Sequence, residues 1–276
     1  MNKLKTIVAL ALAGLALNAH AHKPWLLPSS TVVDGKDPWV TVDAAISEGL
    51  FDIDHLPVRL EGVTAVGPDG APVKLENANT GKLRSTFDLH LVKPGTYRIS
   101  LVSQSVFASY QDAGGEIKRF RGSEEAFAKE VPPNAPELKV SRTYSRLETF
   151  VSAGTPDMAV LKPSGVGLEL VPVTHPNDLR TGEKATWRFL LDGKPAANQA
   201  FSLIPGGVRY RGTLGEIRKS ADANGEISFE LPAAGMYLVS ANWPSAAPDN
   251  HGAPSQPPQM PPRRVTYAAT VEILPQ

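Results

Sequence analysis

Two segments of this chain match at a constant offset of 140 residues, and that match constrains the fold more than any other feature. The first is Phe87-Asp88-Leu89-His90-Leu91-Val92-Lys93-Pro94-Gly95-Thr96-Tyr97-Arg98-Ile99-Ser100. The second starts at Ile227 and runs through Phe229, Leu231, Pro232, Gly235, Tyr237 and Val239 to Ser240. In both, an alternating apolar and polar run meets a proline-containing turn, then Gly-x-Tyr and a second alternating run. Period-two alternation marks a strand with one buried face. The glycine permits a positive φ at the turn. The tyrosine can bury its ring while its hydroxyl closes the corner. The repeat predicts the same hairpin in two similar β-sandwich units.

Turn signals punctuate the rest of the chain: Pro68-Asp69-Gly70, Asp192-Gly193 and Ala223-Asn224-Gly225. With 25 prolines and 23 glycines between short Val-, Thr- and aromatic-rich runs, the chain reads as all-β. The expected fold is two immunoglobulin-like or transthyretin-like β-sandwich domains, with a tyrosine corner in each. The first spans about residues 22–160 and the second about 161–276. In the second, Leu168–Val173, Thr186–Leu191, Phe201–Pro205 and Val265–Leu274 read as strands, and Thr174–Asp178 as a turn. One stretch reads as helix, from a Ser123 N-cap through Glu124 and Glu125 to Lys129, stopped by Pro132-Pro133. Residues 244–262 are proline-dense and read as an exposed loop. Trp25 and Trp39 read as core anchors.

Residues 1–21 have the form of a secretory signal peptide. Lys3 and Lys5 precede an apolar run from Ile7 to Leu17, and Ala19-His20-Ala21 is a small-x-small cleavage site. The expected location is the periplasm; this run is too short to span a bilayer, and no second long apolar segment follows it. Cleavage after Ala21 would make His22 the first residue. A terminal histidine offers two metal-binding nitrogens, its α-amine and imidazole Nδ1. Lys plus Arg and Asp plus Glu balance at 28 each, and loss of the leader leaves a slight acid excess, so nucleic acid is not an expected partner. The chain has no cysteine, which removes thiolate metal sites and cysteine nucleophiles.

Five histidines follow the leader: His22, His55, His90, His175 and His251. On the strand from Leu83 to Leu91, Asp88 and His90 fall on the polar face, two residues apart. There a carboxylate can orient an imidazole or share a cation with it. Asp52, Asp54 and His55 crowd a loop after Gly49. Imidazole with carboxylate suits nickel, cobalt, copper or zinc. The expected metal ligands are His22, His55 and His90, converging with Asp88 on one divalent ion. Amine and imidazole ligation predicts affinity that falls as pH drops. His175 reads as a turn residue, and His251 and Met260 as parts of the proline-rich spacer. No Gly-x-Ser-x-Gly elbow, His-Glu-x-x-His helix, phosphate loop or dinucleotide fingerprint is present, so an enzyme is not expected.

The opening Ala19-His20-Ala21-His22-Lys23-Pro24-Trp25-Leu26-Leu27-Pro28-Ser29 resembles the start of a bacterial family of periplasmic proteins. Members are often labelled as periplasmic components of nickel or cobalt transport. Leu168–Pro172 with His175-Pro176, Leu179 and Gly182-Glu183 resembles the same family. So do Asp192-Gly193-Lys194-Pro195 and Tyr267-Ala268-Ala269-Thr270. The resemblance implies a β-sandwich protein that assists metal-ion uptake, with a membrane uptake system as partner, and carries over His22 alone as a functional residue. His55, His90 and Asp88 come from the residues themselves. Two other functions fit the sequence: an adhesive module binding carbohydrate or an envelope protein, and a copper oxygenase built on a histidine brace.

Overall fold

The computed structural model describes residues 22–245 and 261–276; the leader, His251, Met260 and most of the proline-rich segment lie outside the described residues. The chain opens with β1 (Lys23–Pro28), β2 (Val32–Val33), β3 (Trp39–Ser47) and β4 (Leu56–Pro57). It continues with β5 (Val63–Val66), β6 (Pro72–Val73), β7 (Glu76–Thr80) and β8 (Ser85–His90). Next come the long β9 (Gly95–Gln111), β10 (Ile117–Gly122), helix α1 (Glu124–Glu130) and the long β11 (Lys139–Ala153). The second half adds β12 (Leu168–Pro172), β13 (Lys184–Leu191), β14 (Lys194–Pro195) and β15 (Ala200–Pro205). A four-residue helix α2 (Val208–Arg211), β16 (Ile217–Ser220), β17 (Glu226–Glu230), β18 (Gly235–Trp243) and β19 (Arg263–Ile273) complete it.

These strands form three sheets. A central sheet runs β16-β15-β18-β19-β11-β9-β5-β6 through both halves, joined where β11 lies parallel to β19. A front sheet, β1-β3-β8-β7, packs on one end of it through Leu26, Val42, Phe87 and Leu89 against Tyr97, Ile99, Leu147 and Val151. A rear sheet of β12, β13, β14 and β17 packs on the other end through Trp187, Phe189 and Phe229 against Phe201, Tyr267 and Val271. Register places these two covers on opposite faces. Leu147 and Val151 point to the front, whereas Glu148 lies beside Ala269, on the rear side. The architecture is therefore all-β, as composition and turn spacing indicate.

The 140-residue repeat takes a different form from the hairpin it suggests. β8 pairs with β3 and β7 in the front sheet, whereas β9 pairs with β5 and β11 in the central one. β17 and β18 divide in the same way between the rear and central sheets. Each repeat is an arch that carries the chain over the edge of a sandwich. Alternation reveals the buried face of a strand but not which neighbour it bonds. The tyrosine corner is present in both: Tyr97 Oη donates to Lys93 O at 2.8 Å, and Tyr237 Oη donates to Ala233 O at 2.9 Å. At Gly95 (φ 122°) a Cβ would lie 2.8 Å from Pro68 Cβ, so the first arch needs glycine there.

Helix α1 has the Ser123 cap that the sequence indicates, its hydroxyl accepting from Ala126 N at 3.1 Å. Helix α2, between Gly207 and Gly212 in the left-handed region, has no sequence signal because it is a single turn. His175 opens the turn that the sequence indicates, its carbonyl accepting from Asp178 N at 3.0 Å, but its side chain is buried rather than solvated. It is 8% exposed and joins the start of β9 to the loop at Asp157 and to Asn177. Nδ1 accepts from Asn177 N at 3.0 Å, so the proton sits on Nε2, which lies 2.9 Å from Asp157 O and 3.1 Å from Thr96 Oγ1. Burial holds its pKa below the ordinary imidazole range. The folded state thus keeps a neutral ring while the unfolded ring titrates at about pH 6.5. Stability is full above that pH and is lost as pH falls toward the folded pKa. Urea midpoints should drop between about pH 7.5 and pH 5.5. His175→Gln should flatten that slope; an unchanged slope would assign the acid sensitivity elsewhere.

Candidate metal centre

The site is built at the far end of β3. Lys23, the first residue of β1, lies opposite Ser47, the last of β3, so His22 emerges beside the loop that follows. That loop, residues 48–55, is tied down at several points. Asp54 accepts the backbone N–H groups of Glu48 and Gly49, both at 3.1 Å. Leu50 is buried, and Phe51 meets the Trp25 ring edge-on at 5.7 Å. Phe51 sits at φ 65°, a conformation that costs a non-glycine residue about 1 kcal/mol or more and is held here by packing. β4 then pairs with Ala45 and Ile46.

This loop delivers His55 onto His22. The two imidazoles stack with centroids 3.9 Å apart and an interplanar angle of 21°. His22 Nε2 lies 3.3 Å from Glu48 Oε1, and both side chains are open to solvent. Two imidazoles and a carboxylate form a donor set suited to a borderline transition metal. Ring lone pairs lie in the ring planes, so two stacked rings cannot aim at one ion. A shared ion requires one ring to turn, which the exposed His22 side chain is free to do. Among the described residues, no three histidine, aspartate or glutamate side chains already converge on an ion-sized point. Glu48 carries no motif of its own in the sequence; its position one residue past the alternating run of β3 is the signal that marks it.

His90 and Asp88 do not join this group. His90 lies opposite Trp39, the first residue of β3, eight residues along that strand from Ser47. At about 3.3 Å per residue the separation is roughly 26 Å, whereas a shared ion needs bonds near 2 Å. Of the three expected histidine ligands the structure therefore brings together His22 and His55 and leaves His90 apart. Nor does Asp88 orient His90. Its carboxylate accepts from Thr41 Oγ1 at 2.7 Å and Asn77 Nδ2 at 2.8 Å, and those two bonds, Asn77 foremost, lower its pKa. His90 Nε2 instead meets Asp37 Oδ1 at 2.5 Å. Trp25 is fully buried as expected, but Trp39 is 41% exposed. An apolar residue at the first position of an outward-facing row has no layer above it to bury it.

Residues 19–245 match the model of a family described as a domain of unknown function, DUF4198. The chain belongs to this family. That match takes in both ends of β3, the His55 loop and both arches of the DUF4198 chain. No curated protein matches it. Among solved structures, the D0-D1 domain of Intimin aligns at 14% identity over 90% of this chain and 97% of that one, with a TM-score of 0.23. A fragment of the ICAM-5 ectodomain aligns at 12% identity over 92% and 51%, with a TM-score of 0.19. A marsupial T cell receptor aligns at 10% identity over 92% and 74%, with a TM-score of 0.20. At such scores the architecture of the DUF4198 chain rests on its own strand register. No helix among the described residues is long and apolar enough to cross a membrane.

Proposed function

We propose that this protein is a periplasmic binding protein for a divalent transition-metal ion of the nickel, cobalt, copper or zinc type, which it passes to a membrane uptake system. The observation that carries the reading is the meeting of His22 and His55 beside Glu48. Removal of residues 1–21 would add an α-amine to that group, making His22 bidentate. Export and ligand creation would then be one event. The labels borne by the family resembling the His22 opening motif point the same way.

The test compares mature protein beginning at His22 with a form carrying one extra alanine before it. Calorimetric titration with Ni²⁺, Co²⁺, Cu²⁺ and Zn²⁺ should give a Kd of about 1 μM or tighter for the mature form, equivalent to roughly −8 kcal/mol. The alanine extension and His55→Ala should each weaken it about tenfold or more, and Glu48→Gln less. Equal and weak binding by the mature and extended forms would sink the chelate.

A further inference from the structure

The opposite end of β3 carries a second surface, distinct from the metal centre. β3 turns Val40, Val42 and Ala44 inward and Trp39, Thr41 and Asp43 outward; β8 does the same with Phe87 and Leu89 against Thr86, Asp88 and His90. Register sets these outward residues in rows: Trp39 opposite His90, Thr41 opposite Asp88, Asp43 opposite Thr86. The first row is an aromatic stack in which His90 covers one face of the Trp39 indole and leaves the other as the flat apolar face. Trp39 lies on His90 with centroids 4.3 Å apart and planes within 4°. Asp37 fixes both rings, taking His90 Nε2 at 2.5 Å and Trp39 Nε1 at 3.4 Å. The second row, about 7 Å along the strand, is the Asp88 carboxylate braced by Thr41 and Asn77.

Each component already has a partner before any ligand arrives, which reduces the ordering entropy lost on binding. The chemistry narrows the ligand. Asp37, Asp43, Asp88 and Glu76 outnumber Arg84 here, which disfavours phosphates and acidic polymers. Trp39 is the one large apolar side chain among the outward residues of β3 and β8, with exposed Val92 two residues past His90, too little for the buried anchor cluster of a protein interface. A flat apolar plate beside fixed hydroxyl acceptors suits a ring with an apolar C–H face and hydroxyl donors at its rim. We propose that this face binds a neutral oligosaccharide, with Trp39 as the stacking platform and Asp88 and Asn77 as hydroxyl partners.

The test titrates mature protein with cello-, xylo- and chitohexaose, and with an oligogalacturonate of equal length, by calorimetry and tryptophan fluorescence. At least one neutral oligomer should bind with a Kd between about 1 μM and 1 mM. Trp39→Ala should weaken it at least about tenfold and Asp88→Asn several-fold, with melting temperatures near wild type. Binding should be unaffected by EDTA or by an alanine placed before His22, which separates it from the metal reading. Absence of binding by all three neutral oligomers would overturn the proposal. So would binding that survives Trp39→Ala, equal binding of the acidic oligomer, or loss of binding in EDTA.

Discussion

Replacing Arg146 by alanine is expected to destabilise the protein by about 3–5 kcal/mol, the usual penalty for leaving a buried charge without its partner. Arg146 lies on β11, on the rear face of the central sheet, and is 6% exposed. Its Nη1 donates to Glu148 Oε1 at 3.2 Å, and its Nη2 lies 3.2 Å from Glu169 Oε1. Nη2 also reaches Tyr144 Oη, Ser164 Oγ and Val166 O. Glu169 in turn accepts Ser164 N, Ser164 Oγ and Gly165 N at 2.7 Å each. One guanidinium thus binds β11 to the segment that leads into β12. Its removal leaves two buried carboxylates without their guanidinium, Glu169 keeping its Ser164 and Gly165 donors and Glu148 only the Tyr267 hydroxyl at 3.2 Å and the charge of Arg98.

Burial already pushes the Glu148 carboxyl above its ordinary range, opposed by Arg146. Without Arg146 the buried carboxyl would take a proton more readily. The loss should therefore be larger at about pH 8 than at about pH 5. Urea unfolding at both pH values reads this directly. Arg142 is the control. It grips Glu124 with two bonds, at 2.9 and 2.7 Å, but both partners are more than half exposed. Arg142→Ala should change little. A loss of equal size in the two variants would show that burial does not set the value of these pairs.

What the sequence disclosed, and what it hid, follows from the number of buried faces. β8 has one, and its alternation placed Phe87 and Leu89 inside and Asp88 and His90 outside correctly. β11 has two from Arg146 onward, where all eight residues are buried. Its run Arg-Leu-Glu-Thr-Phe-Val-Ser-Ala has no period to read, so a charged pair in the interior left no trace. The arches were legible as local motifs because a tyrosine corner needs residues only four apart. That they cross between sheets depends on pairing at long range. The same distinction explains the histidines. Alternation gave the correct face for His90, but its position along β3 is a matter of register. The meeting of His22 with His55 depends on how one loop folds back.

Trp25→Ala should also cost about 3–5 kcal/mol, and it should weaken metal binding as well. Trp25 is fully buried in a small cluster with Ala45, Leu50, Ile204 and Leu238. Those residues come from β1, β3, the His55 loop, β15 and β18, so the cluster fastens the front sheet to the second half of the central one. Its indole N–H donates to Ser47 Oγ at 2.8 Å, and its ring meets Phe51 edge-on. Ser47 is the register partner of Lys23, next to His22, and Phe51 lies four residues before His55. A truncated Trp25 would leave a cavity, a buried Ser47 hydroxyl without its indole donor, and a left-handed Phe51 without its aromatic partner. Both arms of the site would lose their support. Trp25→Phe should recover much of the packing but not the Ser47 bond. His55→Ala should do the reverse of Trp25→Ala, reducing affinity with little change in stability, because its ring packs at the surface. Metal titration of Trp25→Ala, carried out where urea curves show it folded, separates the two contributions. Affinity equal to wild type there would mean that His22 and His55 find each other without the indole, and that the loop's own Asp54 bonds are sufficient to position it.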